Sequence, residues 1–493
     1  MPNEKLFLAI DAGTTMVKAV LTSVDGRFID TAGVKLNILM PFPSWCEMDM
    51  DTVWQAVCEA VSRIRENNGA VWNNICAVGI CGQGDGMWPL DRDGKPVRNA
   101  VLWNDTRAAG RVDYDGISTT CIALGTSPMF PGAAPVILRW LKENEPESYG
   151  KIASVLHCKD WLNYRLTGKL VTDETDASTA LMNIYTKKYE YSLLEQLGVG
   201  ESAEWFPPVT ASDQIIGTVT EPAAGFLKIK PGTPVIAGAI DVLAAATGCG
   251  VTEPAQKGSI IGTTLCNYVV LNEERAHTDA GNIGSVLCHT KQGTYIRLMA
   301  ALSGASALDW VRREVLADEP YAAFEPKIET LPIGSEGVIF HPYLYGERAP
   351  FRIADASGGF YGLRAGHTKY HMARAAFEGV VLSLYDCYQN LPVGENGFVI
   401  AGGAAKSDLV CQMLCDCMGE KTLRYREKEL GILGLVRLLQ RATGLGTPDG
   451  EAEKDVFLPD MAKHEEYKKL YAQFCWLKDK MIPFWKRERE SRS

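Results

Sequence analysis

A short apolar strand, Leu6-Phe7-Leu8-Ala9-Ile10, runs straight into Asp11-Ala12-Gly13-Thr14-Thr15, with Lys18 just beyond. The second half of the chain echoes it at Ser259-Ile260-Ile261-Gly262-Thr263-Thr264. Two strand–Gly–Thr–Thr turns in one chain predict two similar halves, and no other feature constrains the fold as much. The chemistry of the turn points the same way. A carboxylate at a strand end can hold a divalent cation, the glycine lets backbone N–H groups approach an anion, and the threonines donate further hydrogen bonds. A plain glycine hairpin between two strands reads alike. The repetition favours a pair of phosphate-binding hairpins facing one cleft.

At 493 residues the chain is long enough for two domains. A net charge of -10 argues against binding to a nucleic-acid backbone, which calls for a basic surface. No apolar run approaches a membrane span, and Asp11 interrupts the first apolar stretch too early for a signal-peptide core. A cytoplasmic protein is expected. The 14 cysteines form no CxxC pairs. Cys411 and Cys415 fall on one helical face and read as small buried hydrophobes rather than metal ligands.

Helical spacing runs from Asp51 to Ile64, with Asp51 a candidate N-cap. Ile75–Ile80 reads as a strand buried on both faces that delivers Gly82-Gln83-Gly84-Asp85-Gly86 at its end. Pro234–Gly238 reads as a second buried strand, leading to Asp241 and an alanine-rich helix. Later come a helix over Tyr370–Tyr388, a strand at Gly397–Ile400, and a charged tail from about Glu451 expected to pack as a peripheral helix.

These landmarks together resemble the FGGY carbohydrate kinases. The matching pieces are Asp11–Thr15, Gly82–Gly86, Leu102-Trp103-Asn104-Asp105-Thr106-Arg107, Asp160-Trp161-Leu162 and Asp173–Ser178. The second half adds Gly262-Thr263-Thr264, Gly346-Glu347-Arg348-Ala349-Pro350, Gly359–Leu363 and Gly402–Ser407. Two departures stand out. Most members have Gly-Ala-Ala where this chain has Gly434-Leu435-Val436, so helix packing there is expected to differ. The approach to Asp241, Gly238-Ala239-Ile240, has fewer glycines than usual.

The resemblance implies an α/β, two-domain actin-like ATPase fold built from duplicated ribonuclease-H-like domains, with ATP and substrate in the interdomain cleft. The implied division is an N-terminal domain over 1–250, an ATP-binding domain over 251–450 and a helical tail over 451–493. It implies ATP and Mg²⁺ as cofactors and a small sugar or polyol as substrate, with neither nucleic acid nor membrane as partner; a homodimer is compatible with it. Asp241 becomes the general base and a substrate contact, although from the residues alone it reads equally as a helix N-cap. Asp11 becomes the Mg²⁺ ligand. Gly13, Thr14, Thr15 and Lys18 are assigned to the β- and γ-phosphates, and so are Gly262, Thr263 and Thr264. Lys18 reads otherwise as a solvated strand residue. Gly304, Gly403 and Ser407 are assigned to the nucleoside.

Gln83, Gly84 and Asp85 lie where the family reads its sugar, with Gly84 expected to leave room and Asp85 to bind two hydroxyls. Trp103 and Asp105 belong to a neighbouring loop on that side, and Trp103 reads otherwise as core. Glycerol kinases carry Arg-Glu after the glutamine and D-xylulose kinases Met-His. Gly84-Asp85 looks most like the branch handling L-xylulose, erythritol and related polyols, with D-xylulose and glycerol as alternatives. An actin- or chaperone-like ATPase and an inactive sugar-binding relative are the readings from other classes.

Overall fold

The computed structural model describes residues 4–278, 283–395, 397–426, 429–447 and 453–492. The first sheet contains β1 (Leu6–Ala12), β2 (Met16–Ser23), β3 (Phe28–Lys35), β4 (Ile75–Gly82), β5 (Ile215–Thr218), β6 (Pro234–Ile236) and β7 (Ala239–Ile240). Its order is β5-β6-β4-β1-β2-β3, and β7 also pairs with β4. The second sheet contains β8 (Lys257–Ile261), β9 (Leu265–Leu271), β10 (Ser285–Cys288), β11 (Tyr295–Ala301), β12 (Phe398–Ala401), β13 (Thr422–Tyr425) and β14 (Lys454–Phe457), in the order β10-β11-β9-β8-β12-β13-β14. In both sheets the opening strand runs antiparallel to the next one (β1 to β2, β8 to β9). It also runs parallel to a later strand (β1 to β4, β8 to β12). The echo between the two Gly-Thr-Thr turns is therefore an echo of topology.

The apolar run of β1 is buried from Leu6 to Ile10, as a strand with neighbours on both sides and packing on both faces requires. Helix α1 (Met50–Asn68) covers this sheet with Val53, Trp54, Val57, Val61 and Ile64. Its N-cap is Asp49, whose carboxylate accepts from the Thr52 N–H at 2.7 Å. Asp51, the expected cap, lies in the first turn and pairs with Arg165 at 2.9 Å. Periodicity locates the helix, but two aspartates two residues apart leave the cap undecided until the backbone chooses one.

The chain after 451 is more than a peripheral helix. Lys454–Phe457 is the edge strand β14, antiparallel to β13. The long helix Met461–Arg492 then buries Tyr467, Phe474 and Trp485 in the core of the second half. The expected separate tail at 451–493 is thus part of that half. Cys411, Cys415 and Cys417 are buried free thiols, as expected of small hydrophobes. Among the described residues no helix is long and apolar enough to cross a membrane.

Helix α2 (Asp241–Gly248) crosses helix α3 (Leu430–Thr443) at two glycines. A Cβ on Gly434 would lie 1.9 Å from the Ala244 carbonyl oxygen, and one on Gly248 would lie 2.0 Å from that of Leu430. Beside this crossing Leu435 and Val436 are fully buried, which shows how the Gly-Leu-Val stretch is accommodated. Gly434→Ala should therefore cost roughly 1–3 kcal/mol, since neither backbone can yield easily. A thermal melt on that variant checks the effect, and an unchanged melting temperature would contradict the close crossing.

Candidate active site

Three parallel strands bring the site together. On β4, Cys81 pairs with Asp11 of β1 and Ala239 of β7, and Gly82 pairs with Ala12 and Ile240. Asp11, Gln83 and Asp241 therefore emerge from one carboxyl edge, where open α/β sheets bind ligands.

Asp241 opens α2, and its Oδ1 accepts from the Val242 N–H at 2.6 Å. That bond occupies one oxygen and leaves the other without a protein partner among the described residues. The backbone just before it is tied down. The Ile240 N–H donates to Thr175 Oγ1 at 3.0 Å, and that hydroxyl donates to Asp173 Oδ2 at 2.7 Å. Burial, then the nearby Asp11, pushes the Asp241 carboxyl up to about 7, with Asp176 and Asp85 adding to the rise and the Val242 N–H opposing it. Asp11 is pushed up to about 6 by burial, against the pull of Lys18, and its Oδ1 is buried without a partner among the described residues.

At the far side of Gln83 the loop is densely bonded. Trp103 Nε1 donates to Thr14 Oγ1 at 3.2 Å, and Thr14 Oγ1 donates to Gln83 Oε1 at 3.1 Å. Trp103 is therefore hydrogen-bonded to the first hairpin and only half-buried. Asp85 sits at φ +55°, with Oδ1 buried and unpartnered among the described residues. Burial raises its carboxyl to about 6, while the Thr179 hydroxyl and His157 hold it down, Asp176 pushes it further up and Arg348 opposes.

Two expectations need correcting here. Gly84 does not leave open room: a Cβ there would lie 1.9 Å from Ile240 Cδ1, so the missing side chain seats the residue that precedes Asp241. Asp105 is scaffold. Its carboxylate accepts from the Cys46 N–H at 2.6 Å and from Arg107 Nε and an Nη at 2.9 and 2.8 Å. Arg107 also bonds Glu47 at 2.8 Å and stacks on Trp45. With both oxygens engaged in a buried ion-pair network, Asp105 has little left to offer a sugar.

From the second half, the Gly262–Thr264 turn joins β8 to β9 with Thr263 exposed. The Gly304 N–H donates to the Thr263 carbonyl at 3.1 Å and the Ala305 N–H to that of Gly262 at 2.8 Å, so Gly304 braces the turn. Pairing of Ile260 with Ala401 places the exposed Gly403 just past the neighbouring strand end. Ser407 caps the helix Asp408–Met418, accepting from the Val410 N–H at 3.2 Å. In the first hairpin, Gly13 closes the turn by donating to the Met16 carbonyl at 3.1 Å, and Thr15 is exposed. Lys18 is held by Glu429 at 2.7 Å and would have to leave it to reach a phosphate.

Sequence reasoning left several groups without a role. Arg348 comes from the second half and donates through Nε to the Ala300 carbonyl at 2.7 Å. Its guanidinium lies 5.8 Å from the Trp103 ring centroid, which belongs to the other half. Lys159, fully buried, sits 2.5 Å from Asp160, 2.8 Å from Asp173 and 2.9 Å from Asp176. Those aspartates stand in stretches the sequence singles out, but spacing alone does not reveal that one ammonium gathers them.

The crowding of carboxylates makes a pH signature. Asp85, Asp176 and Asp241 have folded values raised to about 6, 6 and 7 from 3.8, so the native state holds extra protons across that window. The stability this confers is complete below the unfolded value and is lost as pH rises through the folded ones. The melting temperature of the ligand-free protein should fall between about pH 5 and about pH 8, and Asp241→Asn should flatten the slope. A rising melting temperature over that range would contradict the cluster.

Known proteins resemble this chain along nearly its whole length. The models of the FGGY carbohydrate kinase N- and C-terminal domains match residues 6–248 and 257–443. The chain is 30% identical over 487 residues to the L-xylulose/3-keto-L-gulonate kinase of Escherichia coli strain K12, covering 95% of each chain. It superposes on a ligand-bound xylulose kinase from Lactobacillus acidophilus with a TM-score of 0.90 at 26% identity, covering 98% of this chain and 99% of that one. The glycerol kinase of Plasmodium falciparum, at 20% identity and a TM-score of 0.82 over 97% and 98%, shares the fold. Two sheets of the same topology, a carboxylate-lined strand edge and a match along nearly the whole chain lead to one conclusion: this protein belongs to the FGGY family of carbohydrate kinases, ATP-dependent sugar kinases of the two-domain actin-like fold.

Proposed function

We propose that this kinase transfers the γ-phosphoryl group of ATP to a hydroxyl of a small ketose or polyol of the L-xylulose or erythritol class, with Asp241 as general base. The observation that carries this reading is the placement of Asp241. It feels the charge of Asp11 from the first hairpin, and of Asp85 and Asp176 at the sugar side. Its own charge reaches Cys266 in the strand that follows the second hairpin. A base at that junction can reach a hydroxyl bound on one side and face a phosphate bound on the other. Its carboxyl, pushed up to about 7, is matched to proton transfer near neutral pH.

Each half has a distinct task in this reading. The first, over 1–250, binds sugar through Gln83 and Asp85, with Trp103 offering an apolar face to C–H groups. The second, from 251 onward, binds nucleotide through the Gly262–Thr264 turn, the Gly304 segment and the Gly403–Ser407 loop. Gly13, Thr14 and Thr15 contribute phosphate contacts from the first hairpin. The buried, unpartnered Asp11 Oδ1 among several carboxylates fits a divalent cation. Bound Mg²⁺ would neutralise phosphate charge there. The protein's part is alignment, exclusion of water and acceptance of the sugar proton at Asp241.

A coupled ADP assay over L-xylulose, D-xylulose, erythritol, glycerol and related polyols tests the proposal. Sugar-dependent ADP formation with L-xylulose or erythritol preferred is the expected result. A preference for D-xylulose or glycerol would overturn the substrate assignment, and ATP hydrolysis unaffected by every sugar would overturn the whole reading.

A further inference from the structure

Three buried polar atoms on the sugar side of Asp241 have no hydrogen-bond partner among the described residues: Gln83 Nε2, Asp85 Oδ1 and Asp176 Oδ1. Buried polar atoms in folded proteins are nearly always satisfied, so a cluster of three marks where the polar groups of a ligand belong. Gln83 and Asp85 stand on the loop after β4. His157 and Asp176 come from other segments, one just before the helix Cys158–Thr167 and the other within the short helix Glu174–Ala177.

The surroundings of these two residues are specific. His157 Nδ1 lies 3.4 Å from Asp160 Oδ2 and 4.0 Å from Asp176 Oδ1. Its Nε2 has no protein partner among the described residues, and the side chain keeps 14% of its exposure. The Lys159 ammonium stands 2.9 Å from Asp176 Oδ2 and leaves Oδ1 open. His157, Asp160 and Asp176 have the spacing of a metal site, but Lys159, locked among three aspartates, already supplies the cation. A ligand that forms hydrogen bonds fits this place better than a second cation. Burial by itself would make the imidazole less basic, yet Asp176 and Asp160 outweigh it and raise it to about 9. Both ring nitrogens then carry hydrogen, one directed at carboxylates and one free.

We propose that His157 and Asp176 are specificity-determining residues of the sugar site, Asp176 Oδ1 accepting a sugar hydroxyl and His157 donating through Nε2 to an adjacent sugar oxygen. The proposal rests on the reading of the cleft as a ketose-binding site. Together with Asp85 and Gln83 it gives a short polyhydroxylated chain two acceptors and two donors, one set for each pair of neighbouring oxygens.

The test uses the full chain, with L-xylulose or whichever ketose of the panel the wild-type enzyme phosphorylates. His157→Asn and Asp176→Asn should each lower kcat/KM for the sugar roughly 10–150-fold through KM, as loss of a charged hydrogen bond does. KM for ATP should stay within about threefold. A series of deoxy-ketoses, each lacking one hydroxyl, separates contact from scaffold. The penalty that one analogue suffers with the wild-type enzyme should vanish in the variant that has lost its partner, because the two losses are then the same loss. A sugar KM close to wild type in the variants, or deoxy penalties that all persist, would overturn the proposal. If Asp176→Asn fails to fold, His157→Asn, at the more exposed of the two residues, decides: a lower melting temperature with unchanged sugar KM and unchanged deoxy penalties means a structural role and refutes the assignment. A wild-type enzyme inactive on every ketose and polyol overturns the reading of the cleft instead, and this proposal with it.

Discussion

Asp241→Asn should lower kcat by roughly 10²–10⁴ while the KM values for ATP and sugar stay close to those of wild type. Asparagine keeps the shape and can still accept the Val242 N–H through its amide oxygen, so α2 should start unchanged. What disappears is the atom that takes the sugar proton. The substitution also removes one charge from a group of carboxylates that raise one another, so the fold should be no less stable. For the wild-type enzyme kcat/KM should rise with pH through about 7 and then level off, because only the ionised carboxylate accepts a proton. That acid limb should be absent from the residual activity of the variant. Turnover near the wild-type rate in Asp241→Asn would remove Asp241 from the mechanism.

Loss of the Asp85 carboxylate should also be large, and it should fall on the sugar alone. A hydrogen bond involving a charged group contributes roughly 1.5–3 kcal/mol, so kcat/KM for the sugar should drop about 10–150-fold. Asp85 occupies a left-handed backbone conformation at φ +55°, which alanine adopts reluctantly. Asp85→Ala therefore mixes backbone strain with loss of the side chain. Asp85→Asn keeps a residue at ease with positive φ and removes only the charge. If the carboxylate binds hydroxyls, both variants should raise the sugar KM and leave the nucleotide KM alone. If Asp85 only shapes the loop, Asp85→Ala should melt at lower temperature, with the sugar KM normal in both. The steric expectation at Gly84 also changes. A long side chain there would first drive into Ile240 and shift the Asp241 backbone, so Gly84→Met should lower kcat as well as sugar affinity.

The main strands, the two hairpins and the family were legible in the sequence, because each rests on local features. An apolar run such as Leu6–Ile10 must be buried, a Gly-Thr-Thr turn must follow it, and the same pattern recurs at Ser259–Thr264. The landmark residues Asp11, Gln83, Asp85 and Asp241 could be picked out for the same reason, since each stands at or just beyond the end of an apolar strand. Finer local choices escaped it. Asp49 rather than Asp51 caps the first long helix, because a cap is decided by backbone angles that hydrophobic periodicity does not encode. The stretch after 451 became an edge strand only because β13 offers it an open edge.

Only the tertiary structure decided which polar residues are free to act. Asp105 and Asp85 are both aspartates in loops beside the same pocket, yet Asp105 is saturated by Arg107 and the Cys46 N–H while Asp85 keeps a buried oxygen unpartnered. Gly84 looked like space and is the seat of Ile240, 156 positions further along the chain. Lys159 gathers three aspartates drawn from two segments, and Arg348 reaches Trp103 from the opposite half. The physical reason is the same in each case. Burial and hydrogen-bond satisfaction depend on neighbours distant in the chain, so the sequence by itself determined the strands and the set of candidate groups. The packing of the two halves determined which of those groups hold one another and which remain for a ligand.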